Sequence, residues 1–128
     1  MTLCLSQLLT HGGKTSDNAI ALSDRSGQLS YGELIDLVQR VSNGVIGAGA
    51  RQHDRVAVYL PKQIETVATM FGAAHAGCVF VPVNPLLKPA QVQHILTDCD
   101  VRLLVTSRSR AAGLKDIIAD CPKLEHII

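Results

Sequence analysis

The sequence predicts an α/β protein: a doubly wound, mainly parallel sheet with helices on both faces and an N-terminal antiparallel hairpin. Three observations carry this. From Arg55 onward, short apolar runs alternate with stretches of helical periodicity. The runs lack polar alternation, the pattern of strands buried on both faces, which calls for helices above and below a parallel sheet. Before Arg55, two short segments flank Asp24-Arg25-Ser26-Gly27, a tetrapeptide suited to a tight turn.

The elements follow in order. Residues 1–30 are expected to hold a short helix and the hairpin, and residues 31–128 the alternating helix and strand units, all within one domain. The hairpin arms are Ala19 to Ser23 and Gln28 to Ser30. Leu29-Ser30-Tyr31-Gly32-Glu33-Leu34 is the clearest local signal. Ser30 and Glu33 have capping-box spacing: the hydroxyl satisfies an orphan amide of the first turn while the carboxylate reaches back to the cap amide. Leu29 and Leu34 stand where a hydrophobic staple closes around the box. Leu34, Leu37, Val38, Val41, Val45 and Ala48 recur at helical spacing, and Gly49 is placed to stop the helix. Val56 to Leu60 is a strand that stops at Pro61. Ile64, Val67, Ala68 and Phe71 mark one face of the next helix, ending near Gly77. Cys78 to Val81 is a second strand, closed by Pro82 and then by Asn84-Pro85. Pro89 suits the first turn of another helix, with Val92, Ile95, Leu96 and Cys99 inward. Leu103 to Val105 is a third strand. Leu114, Ile117 and Ile118 define a last helix, and Leu124 to Ile128 a closing strand.

Composition narrows the function classes. The chain has 128 residues, 47% hydrophobic and 18% charged, which argues against extended disorder. A chain of this size buries roughly two-thirds of its unfolded surface and needs no staples. Twelve basic against eleven acidic residues leave a formal charge of +1, no electrostatic footprint for nucleic acid. Two Tyr, two Phe and no Trp offer little on which to stack bases. No apolar run approaches the length of a bilayer span, and the start MTLCLSQLLTHGG lacks the basic region of a secretory signal. A cytoplasmic location is expected. Cys4, Cys78, Cys99 and Cys121 form no CxxC pair, and three of the four have apolar neighbours, so they read as reduced, packed thiols.

The residue patterns that carry chemistry elsewhere are incomplete here. Gly12-Gly13-Lys14-Thr15 imitates the tail of a phosphate-binding loop, but Leu8 stands where that pattern needs its first glycine, and no strand precedes it. Gly44, Gly47 and Gly49 do not fit GxGxxG and sit at a helix end; they read as close-packing positions and a stop. Among His11, His53, His75, His94 and His126 none pairs at metal-ligand spacing, and His75 reads as a partly buried imidazole. There is no GxSxG elbow and no acidic cluster at the strand ends. No catalytic residue and no metal ligand is assigned. Ser107-Arg108-Ser109-Arg110 follows the third strand, at the end of the sheet where such folds bind ligands. Two arginines beside hydroxyls have the donors to hold a phosphate; the plainer reading is a solvated loop. Lys62 and Lys88 also follow strand ends.

Three ordered motifs add a resemblance. Leu29 to Leu34 matches a Leu-Ser/Thr-Tyr-x-Glu-Leu core motif. His53-Asp54-Arg55-Val56-Ala57-Val58-Tyr59-Leu60-Pro61 resembles a GDRVAxxLPN segment, with His53 for the usual glycine and Lys62 for asparagine. His75 to Pro85 resembles an AGxxxVP segment ending in Asn-Pro or Asp-Pro. In these motifs and their spacing the chain resembles the N-terminal portion of the adenylate-forming family: acyl-CoA synthetases, luciferases and the adenylation domains of peptide synthetases. Asn84-Pro85-Leu86-Leu87-Lys88 is similar to the NPRLK and NPLLK forms of bacterial acyl-CoA ligases.

The resemblance implies a two-step reaction for a full-length enzyme. A carboxylate attacks the α-phosphate of ATP to give an acyl-adenylate and pyrophosphate, and the thiol of coenzyme A then displaces AMP. It implies ATP, Mg2+ and coenzyme A as cofactors of that enzyme, and a small-molecule carboxylate, as in fatty acid metabolism, as its substrate. Family members are several times longer than this chain. Their phosphate loop, adenine and magnesium residues and catalytic lysine lie downstream of the motifs seen here. This chain is therefore expected to be an N-terminal subdomain that binds none of the three cofactors, is inactive alone, and has the rest of the ligase polypeptide as its partner. Ser30, Tyr31, Glu33, Gly77, Pro82, Asn84 and Pro85 are expected to act structurally, Gly77 with Ala76 by allowing close helix-to-sheet approach. Some ligases place an arginine after the Asn-Pro pair to meet coenzyme A; Leu86 stands there, leaving Lys88, Arg108 and Arg110 as candidate contacts to coenzyme A or another anion. A piece severed from its domain exposes apolar surface and is expected to self-associate. The alternative is a stand-alone α/β interaction or small-molecule-binding module without catalysis.

Overall fold

The computed structural model describes residues 5–12 and 17–128. Cys4 and the Gly13-Lys14-Thr15 stretch lie outside the described residues, as does the side chain of His11. The elements run α1 (Gln7–Gly12), β1 (Ile20–Asp24), β2 (Gly27–Ser30), α2 (Tyr31–Gly47), β3 (Arg55–Tyr59) and α3 (Ile64–His75). They continue with β4 (Val79–Pro82), α4 (Pro89–Asp98), β5 (Val101–Thr106), α5 (Arg108–Gly113), α6 (Lys115–Ile118) and β6 (His126–Ile127).

The two arms β1 and β2 pair antiparallel in a sheet of their own, and the other four strands form a parallel sheet in the order β4-β3-β5-β6. That order dictates the layering. The chain steps from β3 to β4 in one direction, then back across β3 to β5 and on to β6. Right-handed crossovers put connections of opposite direction on opposite faces. Accordingly α3, with α2, covers one face, and α4 with the α5–α6 segment covers the other. Successive strand residues point to opposite faces. Ala57, Tyr59 and Leu104 pack with Val92 and Leu96 of α4, Leu114 and Cys121. Their neighbours Val56 and Leu103 pack with Val45 of α2 and Ala73 of α3. A third cluster joins Leu9 of α1 to Leu34, Val38 and Ala68, with Leu22 and Leu29 of the hairpin against it.

Local signals place the helices. Ser30 Oγ accepts from the Glu33 amide at 3.2 Å and Glu33 Oε1 from the Ser30 amide at 3.1 Å, so the capping box is complete. Helices α2 and α3 cross at Gly72, where a Cβ would come within 2.5 Å of Val41 Cγ1. At that distance a side chain could not be accepted without shifting the helices apart.

Several details differ from the sequence expectation. The last helix is two short ones, broken at Leu114, and Ser107-Arg108-Ser109-Arg110 is no loop: Ser107 Oγ accepts from the Arg110 amide and starts α5. The closing strand is only His126–Ile127, while the third strand of the alternating region runs the longer span Val101–Thr106. Pro82 lies within β4, paired with Val58, a position open to proline because β4 is an edge strand in the described sheet. Being at the edge also leaves Val79 47% exposed, unlike the buried run in β3. His75 is exposed rather than half-buried. Gly44 and Gly47 face open space; Gly72 is the close-packing position on this pair of helices. Gly77 serves by its backbone, at φ +80°, and a Cβ there would only touch Gln52 at ordinary distance. Cys78 and Cys121 are buried and Cys99 half-buried, all three as free thiols.

Candidate functional site

In an open parallel sheet the ligand crevice lies beyond the carboxyl ends of the strands, where the strand order reverses. Here that point is between β3 and β5. The structure fills it with its own side chains. Thr106, ending β5, donates its hydroxyl to the Tyr59 carbonyl at 2.6 Å, closing the two strand ends together. The Tyr59 hydroxyl donates to the Leu87 carbonyl at 2.8 Å. Arg110 of α5 donates from its guanidinium to the Pro85 carbonyl at 2.8 Å and lies 4.6 Å over the centroid of the Tyr59 ring. Asn84 Oδ1 accepts from the Leu86 amide at 2.9 Å, and Gln91 Oε1 from the Lys88 amide at 2.9 Å, shaping the β4–α4 loop at the same rim.

Of the sequence-selected cations, Lys88, Arg108 and Arg110 do fall on one rim of the sheet, following β4 and β5. Lys88 and Arg108 are exposed, whereas Arg110 is half-buried against Tyr59 and Pro85. Ser30, Tyr31 and Glu33 lie at the start of α2, where the Tyr31 amide donates to the Ala19 carbonyl at 3.0 Å and ties the helix to the hairpin. Gly77 belongs to the opposite, amino end of the sheet. Its carbonyl accepts from the His53 amide at 2.8 Å, and His53 itself has φ +70°, in the place where the resembling motif carries glycine.

An open concavity of about 730 Å³ lies between the hairpin turn and the β3–α3 loop, lined by Ser23 to Ser26, Pro61 to Gln63 and Glu65. Asp24, one of its lining residues, makes a contact that sequence spacing did not suggest. Helix α3 has no side-chain cap from Gln63; instead Asp24 Oδ2, 40 residues earlier, accepts from the Ile64 amide at 3.0 Å. Hydrogen bonds hold the Asp24 carboxyl below the usual carboxylate value, the Ser26 hydroxyl first and the Ile64 amide next. The positive end of α3 is thus already occupied by the chain's own anion.

At the amino end, Arg102 of β5 reaches Asp54 at 2.8 Å and Glu125 at 2.9 Å. Its guanidinium pKa is raised, chiefly by the hydrogen bond to Glu125. Cys78 is buried just before β4, and burial, with the Asp54 charge adding, pushes its thiol up, away from the reactive thiolate. Among the described residues no group of three or more His, Cys, Asp and Glu is placed to hold a metal ion. No helix among them is long and apolar enough to cross a membrane. Tyr59, Thr106, Asp24 and Arg102 were all missed by sequence reasoning, because each acts on a partner far along the chain.

Residues 9–128 match the family model described as AMP-binding enzyme. The chain is 35% identical over 106 residues to a feruloyl-CoA synthase of an Amycolatopsis species, covering 83% of this chain and 22% of that protein. It is 26% identical over 128 residues to a medium/long-chain-fatty-acid–CoA/3-oxocholest-4-en-26-oate–CoA ligase of Mycolicibacterium smegmatis, covering all of this chain and 23% of the ligase. Among solved structures it superposes on the anthranilate CoA ligase AuaEII with a TM-score of 0.92 at 26% identity, over 98% of this chain and 24% of that one. The chain spans about a quarter of the length of each of these three proteins.

Proposed function

The chain belongs to the AMP-binding enzyme family, and on that premise we propose that it is the N-terminal structural subdomain of a longer, AMP-forming acyl-CoA ligase. The observation that carries this is the end-to-end superposition of one four-stranded layered unit on about a quarter of a CoA ligase. The longer enzyme would join a small-molecule carboxylate to ATP as an acyl-adenylate and pass the acyl group to coenzyme A. It would use Mg2+, act in the cytoplasm, and take its substrate from fatty or related acid metabolism. No step of that chemistry is assigned to the described residues.

The contribution of this chain is a scaffold. The two halves we propose are residues 1–30, the helix and hairpin, and residues 31–128, the alternating units, packed as one domain. Ser30, Tyr31 and Glu33 fix where α2 begins and dock it on the hairpin. Gly77 turns the chain into β4, and Pro82, Asn84 and Pro85 end that strand and shape the rim. Lys88 and Arg108, exposed at the rim, are the groups we put forward for contact with coenzyme A or another anion; Arg110 already holds Pro85 and Tyr59. Ile127 and Ile128, exposed at the β6 edge, support self-association of the isolated chain.

The test is pyrophosphate release with ATP, Mg2+ and a panel of carboxylates. The chain alone is expected to give none, and a polypeptide extended through the rest of its reading frame is expected to give acyl-adenylate. Turnover by the 128 residues alone would defeat the scaffold reading. A frame that ends at Ile128 would favour the stand-alone module. Sedimentation that shows a clean monomer at high concentration would dispose of self-association.

A further inference from the structure

The loop from Asn84 to Lys88 is irregular, yet its amides are used. Leu86 donates to Asn84 Oδ1, Leu87 to the Asn84 carbonyl at 3.1 Å and Lys88 to Gln91 Oε1. These bonds are local and shape the turn, but on their own they open as readily as other bonds of an exposed loop. Its Leu87 packs against the core, and its place on the sheet is further fixed by two side chains from other elements, acting on its carbonyls. Tyr59 takes Leu87 and Arg110 takes Pro85, while the Arg110 guanidinium lies over the Tyr59 ring. Phenol, guanidinium and loop therefore close a ring of contacts across β3, the β4–α4 loop and α5. Both bonds are only partly buried, so water could take the place of either, and the clamp decides location more than hydrogen-bond satisfaction. Arginine is well suited to such a clamp, because its planar fork can give one N–H to a carbonyl while its face stacks on an aromatic ring.

We propose that Arg110 is a positioning residue, one that sets where the Asn84–Lys88 loop, with its 87% exposed Leu86 and exposed Lys88, stands on the carboxyl rim, and is not itself an anion ligand. Its value to a reaction rests on the ligase reading, but the clamp is tested without it, so either can fail alone. The experiment is amide hydrogen exchange on the 128-residue chain, with near-ultraviolet circular dichroism. Tyr31 and Tyr59 are the tyrosines of a chain without Trp, so the Tyr59 environment is directly visible. In Arg110→Ala, the Leu86, Leu87 and Lys88 amides are expected to exchange about tenfold faster. The Val83 amide, bonded to the Val58 carbonyl at 2.9 Å, and the β5 amides are expected to keep their rates, and the tyrosine signal to change. Arg110→Lys, which keeps the charge but loses the planar face, should recover part of the loop protection. Inorganic phosphate should leave the Arg110 side-chain resonance in place. Loop amides that stay protected in Arg110→Ala overturn the proposal, as does acceleration shared equally by the whole sheet. Displacement of the Arg110 resonance by phosphate overturns it too. Should Arg110→Ala not fold, Arg110→Lys and Tyr59→Phe carry the same comparison, and unchanged loop exchange in both overturns it.

Discussion

The two ends of the parallel sheet are fastened by different physics. At the amino end, charges hold the strands: Arg102 bridges Asp54 and Glu125, with side chains 25%, 23% and 50% exposed. At the carboxyl end, Tyr59, Thr106 and Arg110 donate into backbone carbonyls, and one aromatic ring sits at the centre, buried on its core side. Ion pairs that are only partly buried are still screened by water and salt and contribute little each. Hydrogen bonds directed from a packed ring into loop carbonyls keep more of their strength and fix position as well as distance. The difference teaches that the rim where ligands meet such sheets is fixed by directed bonds into the backbone, and the opposite end by charge.

That contrast can be broken in order of size. Tyr59→Ala removes ring, phenol and the seat of Arg110 together and is expected to cost about 3–5 kcal/mol in denaturant unfolding. Tyr59→Phe, deleting only the bond to Leu87, should cost about 1 kcal/mol; equal losses for the two would mean that the ring is not the anchor. The amino end contains a second, internal contrast between facing left-handed residues. Gly77→Ala puts a Cβ at φ +80° and is expected to cost about 1–2 kcal/mol. His53→Gly relieves φ +70° and, after the entropy of the added glycine, should gain up to about 1 kcal/mol. A loss in His53→Gly would show that the histidine side chain outweighs the backbone term. Arg102→Ala should cost less than Tyr59→Phe, and its effect should shrink as salt is raised. A larger, salt-independent loss would erase the distinction between the ends.

The smallest effect is on acid stability. The Asp24 carboxyl is held below its ordinary value in the folded chain. Its bonds therefore add stability above the usual carboxylate range, and that contribution is lost as pH falls through the depressed value. Melting of wild type and Asp24→Asn should differ at neutral pH and down to the usual carboxylate range, and converge only once pH has fallen through the depressed Asp24 value. A constant offset at every pH would mean that the carboxylate charge does not matter to the α3 cap.

How much of this was legible depended on distance along the chain. The α2 start was readable from Ser30 and Glu33 alone, because a capping box is closed by residues three apart. The alternating apolar runs exposed the layered α/β class, and three motifs carried the family resemblance, which the match over residues 9–128 bears out. The α3 cap was not readable, since Gln63 gives no signal and Asp24 arrives from the hairpin. Nor was the break at Leu114: apolar periodicity over Leu114, Ile117 and Ile118 looks the same whether one helix or two present those side chains.

By itself, then, the sequence determined the type of most elements, most of the buried faces and the family, because periodicity, caps and turns are interactions between near neighbours. Only tertiary structure decided which strand neighbours which, that β4 lies at an edge, and that Arg110 meets Tyr59 and Pro85. Those outcomes depend on which surfaces meet once the helices have packed on the sheet, and no local spacing encodes a hydrogen bond between groups that only the crossovers bring together.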